Sequence, residues 1–471
     1  MKRKIINKVF LAILALIFSS FIFTSCKEST MEGMIVATQV PKALQDANYL
    51  NGNSWRYFTK SKIVLINPNE DNKSLKVLTN NFYAACSPQI SFDGKSMLFT
   101  AQKSKKDRWQ IWEMNLKNFK FYQITTSSNN CIDPVYLPGN RFVFSEFDSK
   151  SISKKGIPLF TGNLDGTNIN QITYNPTTNF ASTVLKDGRI LTISREIYPN
   201  KKDEMFMALR PDGTKELLFY KGSKGSIIKS RGYETTQEKI VFIESSLTKN
   251  FGNIISISYN NPFHSKVNLT HEITGDFYAA SQLKGDTLLT SYRDSKNEPY
   301  ALYEFNSKNK TLEKLIYKSD KFNLLDATVI KKHKRPRNLP SEVNLKSTTG
   351  LIVCQNINFL DSPEKNSNAV KIEVLGIDVS LGEVAVEKDG SFYLKVPANT
   401  PFKIQTIDKK GQVVGGPSSW LYVRPSERRG CIGCHENREQ VPENRQPLSV
   451  RKAPIVLPVK IKEVIKKGFI K

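Results

Sequence analysis

Short apolar stretches that alternate with polar residues recur along most of the chain, and residues 85–125 show the pattern most clearly. Four such stretches follow one another there, over residues 87–94, 95–99, 109–116 and 121–125. Asp93-Gly94 lies between the first two stretches, and Asp-Gly is a strong signal for a hairpin turn. The unit therefore predicts four short antiparallel strands.

The same unit recurs downstream, so the pattern is a repeat. Successive units end at Thr125, Thr173, Phe219, Thr270 and Ile316, which are 48, 46, 51 and 46 residues apart. Four-stranded repeats of this length are typical of β-propellers. Apolar stretches at 62–66 and 75–79 supply the end of a further unit, and the stretch at 325–330 supplies its beginning. Joining them closes a ring of six blades, with seven as the alternative.

A basic, proline-bearing linker at residues 336–347 precedes a change of period. Six further strands are predicted, at 351–353, 370–375, 383–386, 391–396, 402–407 and 420–423. They predict a small β-sandwich over residues 348–426, transthyretin-like or immunoglobulin-like. The predicted fold is thus all-β: a six-bladed propeller over residues 55–335, then the sandwich, then a C-terminal segment and basic tail at 427–471.

The N-terminus predicts export. Lys2, Arg3, Lys4 and Lys8 precede an apolar run at residues 9–18, which has the length of a signal peptide rather than of a permanent span. Small residues lead to Cys26, an arrangement similar to a bacterial lipobox; an ordinary secretory signal is the alternative. We expect a lipoprotein signal over residues 1–25, lipidation of Cys26, and a tether over 26–54. The predicted location is the cell envelope, with a membrane anchor.

Charge and composition narrow the choice of partners. Lys and Arg number 69 and Asp and Glu 44, for a net charge of +25, and apolar residues make up 39% of the chain. This composition excludes a disordered chain and a collagen-like fibre. Because the basic surplus is spread along the whole chain, it argues against nucleic acid and fits a membrane surface or an acidic redox partner protein equally well.

The clearest functional motif in the sequence is CxxCH, formed by Cys431, Cys434 and His435. It is the attachment signature of c-type haem: two closely spaced thiols form thioethers with the macrocycle, and the following imidazole is the axial ligand of the iron. We predict one covalent haem c on these residues. A redox disulfide and half of a zinc site are the alternatives, although no thioredoxin-like pattern and no second CxxC accompany them.

Two resemblances support this interpretation. Residues 87–95 resemble a TolB-type propeller repeat, and the stretches at 381–392, 396–401, 420–431 and 442–445 resemble the middle domain of the hydrazine synthase alpha subunit and its relatives. The second resemblance implies a six-bladed propeller packed against a haem-bearing module.

The sequence departs from hydrazine synthase at one position that matters. In that enzyme the His of the motif binds zinc and a Tyr four residues later ligates the iron, whereas this chain has Glu439 there. The departure favours His435 as a plain proximal ligand. With a single CxxCH in the sequence, hydrazine synthesis itself is not predicted.

Several further residues have competing interpretations. Arg424, Arg428 and Arg429 are candidates for pairing with haem propionates, since guanidinium binds carboxylates bidentately; a solvated basic loop is the alternative. Cys86 and Cys131 occupy matching positions in adjacent blades, and we favour core thiols over a disulfide. We also expect a buried thiol at Cys354, a sandwich-core indole at Trp420, and surface positions for His264, His271 and His333.

Two functional classes follow from the sequence. The first is an exported, lipid-anchored c-type haem protein that takes part in electron transfer or small-molecule redox chemistry at a haem facing the propeller. The second is a non-enzymatic TolB-like interaction scaffold whose CxxC is a structural disulfide. The sequence leaves open whether the protein is an enzyme.

Overall fold

The computed structural model describes residues 31–42, 59–69, 75–148, 156–246, 251–359, 368–433 and 444–458. Within these ranges the protein is all-β, with one short 3-10 helix at Leu448–Arg451 and no α-helix. The strands form eight sheets. The predicted all-β class is therefore confirmed.

Six of the sheets follow one another between residues 35 and 329, and we number them 1 to 6 in chain order. Sheet 1 contains β1 (Ile35–Pro41), β2 (Lys62–Ile66), β3 (Leu75–Val77) and, from the far end of the series, β25 (Phe322–Val329); sheet 2 contains β4 (Ala84–Ile90), β5 (Ser96–Gln102), β6 (Gln110–Asn115) and β7 (Phe121–Gln123). Sheet 3 contains β8 (Asn130–Leu137), β9 (Arg141–Phe147), β10 (Leu159–Asn163) and β11 (Asn170–Gln171); sheet 4 contains β12 (Thr177–Val184), β13 (Ile190–Glu196), β14 (Met205–Leu209) and β15 (Leu217–Lys221). Sheet 5 contains β16 (Ser226–Ile228), β17 (Tyr233–Glu234), β18 (Lys239–Ser246), β19 (Gly252–Ser258) and β20 (Val267–Asn268); sheet 6 contains β21 (Asp276–Lys284), β22 (Thr287–Arg293), β23 (Ala301–Asn306) and β24 (Thr311–Tyr317).

Strand β25 returns to sheet 1, where the order is β25-β1-β2-β3. Its pairing with β1 is antiparallel, with Ile35 opposite Val329. Apolar clusters are shared by each consecutive pair of sheets, and a cluster containing Ile35, Leu289 and Leu302 joins sheet 6 to sheet 1. Each sheet thus buries its faces against both neighbours, which explains why the innermost strands are buried on both sides.

Strand β1 corrects the sequence interpretation. Residues 35–41 were predicted to lie in a tether, but they form a strand in which all but two residues are buried. The prediction was wrong here because the partner of β1 on one side is β25, close to 290 positions along the chain. The hydrophobic pattern of a short stretch of sequence gives no information on a pairing between strands so far apart in the chain.

The threonines that close the repeats have a common structural role. Thr79, Thr125, Thr173 and Thr270 are all buried, and each hydroxyl accepts a hydrogen bond from a backbone N–H of the third strand of its own sheet. In sheet 2 the donor is the Ile111 N–H, 2.9 Å from Thr125 Oγ1. The hydroxyl replaces the backbone partner that the short fourth strand does not supply at this point, which gives a physical reason for the repeat.

This role predicts the effect of removing one hydroxyl. We expect Thr125→Val to lower the free energy of unfolding by about 1–3 kcal/mol, because the Ile111 N–H would stay buried without an acceptor. Thr126→Val is the matched control: Thr126 is exposed, and its loss should change stability by less than about 0.5 kcal/mol. Urea denaturation of both variants measures the difference, and equal effects would contradict the assigned role.

The last two sheets form a second unit. Sheet 7 has the order β32-β26-β29-β33 and sheet 8 the order β28-β27-β30-β31. The strands are β26 (Thr349–Cys354), β27 (Lys371–Gly376), β28 (Ser380–Ala385), β29 (Phe392–Pro397), β30 (Phe402–Ile407), β31 (Val413–Gly415), β32 (Arg428–Cys431) and β33 (Ile455–Val456). Phe392, Leu394 and Val396 alternate inward along β29 and join residues of sheet 8 in one apolar cluster.

Two predictions about this unit need correction. Residues 420–423 do not form a strand, and a single bridge joins Leu421 to Phe402. The predicted boundary at residue 427 does not divide the structure, because β32 and β33 both belong to sheet 7, where they run parallel to β26 and β29. The segment with the first cysteine of the motif is therefore part of a sheet.

Candidate haem-attachment segment

The start of the CxxCH sequence is fixed by strand β32. Arg428 lies opposite Leu351 and Cys431 opposite Cys354 in the parallel pairing with β26. Exposure alternates along β32, so that Arg428 and Gly430 face solvent while Arg429 and Cys431 are half-buried. Cys431 packs against the apolar cluster that contains Cys354, and it lies at the end of the strand, where the chain leaves the sheet.

The residues after Cys431 stay close to the sheet. The Gln355 N–H donates to the Cys431 carbonyl at 2.9 Å, and the Asn356 N–H donates to the Ile432 carbonyl at 3.1 Å. A Cβ atom on Gly433 would approach the carbonyl oxygen of Phe359 to 2.4 Å, so only glycine fits there. Cys434, His435 and Glu439 lie outside the described residues.

The chain returns to the same end of sheet 7 at residues 444–449. Arg445 contacts Asp389 with Nη1 2.6 Å from Oδ2, and the Leu448 N–H donates to the same oxygen at 2.9 Å. Burial opposes ionisation of Asp389, but hydrogen bonds from Ser391, Leu448 and Arg445 dominate and lower its pKa to about 2. Arg445 also donates to the Gln355 carbonyl at 3.2 Å. Both ends of the segment are thus anchored near residue 355.

The second unit is joined to sheet 4 by buried aromatic residues. Tyr422, 1% exposed, has its hydroxyl 2.9 Å from the Gly213 carbonyl and 3.1 Å from the Ile172 carbonyl. The Trp420 indole N–H donates to the Tyr198 carbonyl at 2.6 Å. Gly213 has φ +83°, and a Cβ on it would lie 2.0 Å from the Ile172 oxygen, so this turn depends on glycine.

A buried charge network continues the contact. Glu427, 2% exposed, accepts the Lys215 N–H at 2.8 Å on one oxygen and the Arg424 N–H at 2.7 Å on the other. The Arg424 guanidinium donates to the Asp212 carbonyl at 2.9 Å and to Asn399 Oδ1 at 2.7 Å. Arg429 donates to the carbonyl oxygen of Glu216. These groups connect the base of β32 directly to the β14–β15 hairpin of sheet 4.

The network changes the interpretation of the three arginines. Arg424 and Arg429 were candidates for haem propionates, but the structure gives both guanidinium groups backbone partners at the contact with sheet 4. Arg428 points to solvent from β32, and a propionate contact there stays a prediction. Trp420 packs against sheet 4 rather than inside the second unit, which corrects its predicted position.

The remaining predictions concern the cysteines and histidines outside the motif. Cys354 is buried in the second unit, as expected. Cys86 and Cys131 are both buried, and Cys131 is a free thiol whose sulfur lies 3.8 Å from Glu146, so the favoured core interpretation holds. His264, His271 and His333 are all exposed, as predicted. Cys26 lies outside the described residues.

Sequence reasoning missed two features of this region. The neighbouring position of Cys354 and Cys431 depends on a parallel pairing across 77 residues of chain, and nothing in either segment signals it. The buried role of Glu427 was also missed, although a Glu flanked by three arginines, at 424, 428 and 429, is a pattern that a buried polar network would produce.

Glu216 gives this contact a predicted pH dependence. Burial raises its pKa to about 7, partly offset by the charge of Arg429. The unfolded chain releases this proton near 4.5, so folding binds a proton between these values and stability falls as the pH rises from about 5 to 8. We expect Glu216→Gln to match the original chain near pH 5 and to exceed its free energy of unfolding by up to about 3 kcal/mol at pH 8.

Urea denaturation at the two pH values measures this difference. Glu204, whose pKa burial also raises to about 7, titrates in both proteins and cancels in the comparison. A Glu216→Gln variant with an unchanged pH profile would contradict the assignment.

The described residues contain neither a membrane-spanning helix nor a cluster of metal-ligating side chains. None of their helices is long and apolar enough to cross a membrane. No group of three or more His, Cys, Asp or Glu side chains in the described part of the chain is arranged to hold a metal ion.

Comparison with known proteins identifies the second unit. Residues 345–436 match the family described as the hydrazine synthase alpha subunit middle domain, a range that includes Cys431, Cys434 and His435. Hydrazine synthase subunit alpha of Kuenenia stuttgartiensis is 24% identical over an alignment of 535 residues, which covers 85% of this chain. The chain spans 65% of the length of that relative.

One solved structure shares the fold over most of the chain. The hydrazine synthase structure from Kuenenia stuttgartiensis matches with a TM-score of 0.78 and 21% identity, covering 89% of this chain and 71% of that one. TolB from Acinetobacter baumannii matches with a TM-score of 0.44 and 13% identity, over 63% of this chain and 66% of that one. The resemblance predicted from the sequence is confirmed: the chain is related to the hydrazine synthase alpha subunit, and its residues 345–436 match the middle domain described for that subunit.

Proposed function

We propose that this chain is an exported c-type haem protein that holds one covalent haem through Cys431 and Cys434, with His435 as proximal ligand. The observation that carries the proposal is that an intact CxxCH lies inside the match to the hydrazine synthase alpha middle domain. Bound haem would supply an iron that exchanges electrons or binds a small ligand. The role is electron transfer or small-molecule redox chemistry.

The described part of the motif fits covalent attachment. Cys431 is half-buried at the end of β32, so its thiol is partly open to solvent while its backbone is held by β26. Gly433 lies against the backbone of Phe359, where a larger residue would not fit. The β32 end therefore presents one thiol on a rigid strand, and such support limits the movement of an attached group.

The packing of the sheets supports a finer description of the fold. We propose that sheets 1 to 6 are the blades of a six-bladed propeller and that sheets 7 and 8 form a β-sandwich. The closed series of shared apolar clusters supports the first assignment, and the common cluster of sheets 7 and 8 supports the second. Sheet 4 would then be the blade that positions the haem-bearing module, through the buried network around Glu427.

The location is proposed from the N-terminal sequence. We infer that Cys26 is acylated and anchors the protein in a membrane of the cell envelope, because a signal-like run leads to Ser25-Cys26. Cys26→Ala is expected to release the protein from membranes or to block its processing, as followed by cell fractionation and mature mass. Unchanged processing and membrane association would refute acylation at this residue.

A haem spectrum tests the main proposal. Protein produced with cytochrome c maturation machinery is expected to give a pyridine haemochrome spectrum, and Cys431→Ser is expected to lose covalent haem. Cys354→Ala is the matched control, since Cys354 is the register neighbour of Cys431 but lies outside the motif. A colourless protein would refute the proposal and favour an interaction scaffold with a structural disulfide.

A further inference from the structure

A cavity of about 450 Å³ lies at the carboxyl ends of the innermost strands of sheets 1 to 6. Its wall includes Ile90 of β4, Val135 of β8 and Val184 of β12, together with residues of sheets 5, 6 and 1. The segment at 331–336 runs along the opening. It is held there by the His333 N–H, which donates to the Phe92 carbonyl at 3.0 Å, while the Arg337 N–H donates to the Lys186 carbonyl at 3.0 Å.

Three cationic side chains at the opening have backbone carbonyl groups as partners. Lys331 Nζ donates to the carbonyls of Gln282 and Leu283, at 3.1 and 2.8 Å. Arg231 donates to the Ser182 carbonyl at 3.2 Å, and Lys186 Nζ to the Thr235 carbonyl at 2.6 Å. For Lys331, the two carbonyl partners orient the ammonium group but do not neutralise its charge.

Carboxylates among the described lining residues do not balance this charge. Five lysines and arginines line the cavity (Lys186, Arg231, Lys331, Lys332 and Lys334). The lining carboxylates are Glu234 and Asp326, and Glu234 lies 3.7 Å from the Lys186 ammonium. The described lining residues therefore carry a net charge of 5 − 2 = +3 with His333 neutral. Burial lowers the pKa of Lys331, which is the direction expected for a cation without a nearby carboxylate.

We propose that this cavity binds a small organic anion, with its carboxylate or phosphate group against Lys331 and Arg231. The apolar wall formed by Ile90, Val135 and Val184 would contact the carbon skeleton, which favours an organic anion over a bare inorganic ion. The volume lies within the range of small-molecule pockets. This site belongs to the ring of sheets and does not depend on the haem proposed for residues 431–435.

Calorimetric titration of the full chain in detergent tests the proposal. The probes are citrate, glycerol 3-phosphate and neutral glycerol at constant ionic strength. We expect saturable binding of citrate or glycerol 3-phosphate at one site per chain and none of glycerol; which anion binds identifies the head group. Lys331→Met and Arg231→Met should each weaken binding at least tenfold.

A second test uses exposed residues, in case Lys331→Met or Arg231→Met fails to fold. Lys332 and Lys334 are exposed, so the double variant Lys332→Gln, Lys334→Gln keeps the fold and should weaken binding several-fold. The matched control is Lys308→Gln, Lys310→Gln, which makes the same charge change at the exposed β23–β24 turn and should leave affinity unchanged. Absence of saturable binding of either anion, or equal loss in the control, would overturn the proposal.

Discussion

Replacing Glu427 with alanine is expected to lower the free energy of unfolding by about 2–5 kcal/mol, because the change leaves two buried backbone N–H groups without an acceptor. The carboxylate is 2% exposed and accepts hydrogen bonds from the backbone N–H groups of Lys215 and Arg424. Arg424 is itself 5% exposed. The loss should therefore be large and should loosen the second unit from sheet 4.

The matched control is Glu383→Ala in sheet 8. Glu383 lies 3.3 Å from Lys371, and both side chains are about half exposed, so this pair should contribute about 1 kcal/mol or less. Urea denaturation followed by tryptophan fluorescence suits the comparison, since Trp420 lies at the contact and Trp109 and Trp112 lie in sheet 2. Similar destabilisation by the two variants would show that the network around Glu427 does not join the units.

Carbon monoxide is expected to bind readily to the ferrous protein, with a shifted Soret band. This prediction rests on the proposed haem attachment and on Glu439, which stands where the hydrazine synthase pattern has an iron-ligating Tyr. With His435 as proximal ligand and no sixth ligand from the chain, the iron would be open or bind water. His435→Ala should keep covalent haem at lower yield and change its spin state.

The three histidines outside the motif are candidate sixth ligands if the iron is not open. His264, His271 and His333 are exposed, and the ring of His333 packs against Phe92 at a centroid distance of 5.3 Å. A low-spin spectrum indifferent to carbon monoxide would refute the open site and would point to one of these residues or to a Met as sixth ligand. Single substitutions of the three histidines would then identify it.

Local signals explain why most strands of sheets 2 to 6 were predictable from the sequence. Asp93-Gly94 illustrates this: Gly94 has φ +75°, its N–H bonds the Ser91 carbonyl at 2.9 Å, and the turn joins β4 to β5 as the sequence predicts. The closing threonines are a second local signal, since each contacts a strand residue that lies 14 to 16 positions earlier. Information of this kind is contained within one repeat.

The missed features depend on contacts between distant parts of the chain. β1, in the first of the six sheets, pairs with β25, which follows the sixth. β32 pairs with β26, whose residues lie 77 positions earlier in the chain. Arg424 and Arg429 have the sequence environment of a basic loop, yet both are directed at carbonyl groups of sheet 4. The local sequence shows that such side chains are charged, but it does not show which part of the fold supplies their hydrogen-bond partners.

Mass analysis of one peptide tests the central claim most directly. Trypsin cleaves after Arg429 and Arg438 and so releases peptide 430–438, which contains Cys431, Cys434 and His435. From protein produced with the maturation machinery, we predict this peptide with the added mass of one haem, lost in Cys431→Ser and retained in Cys354→Ala. Recovery of the peptide without haem, with its two cysteines joined as a disulfide, would contradict the account.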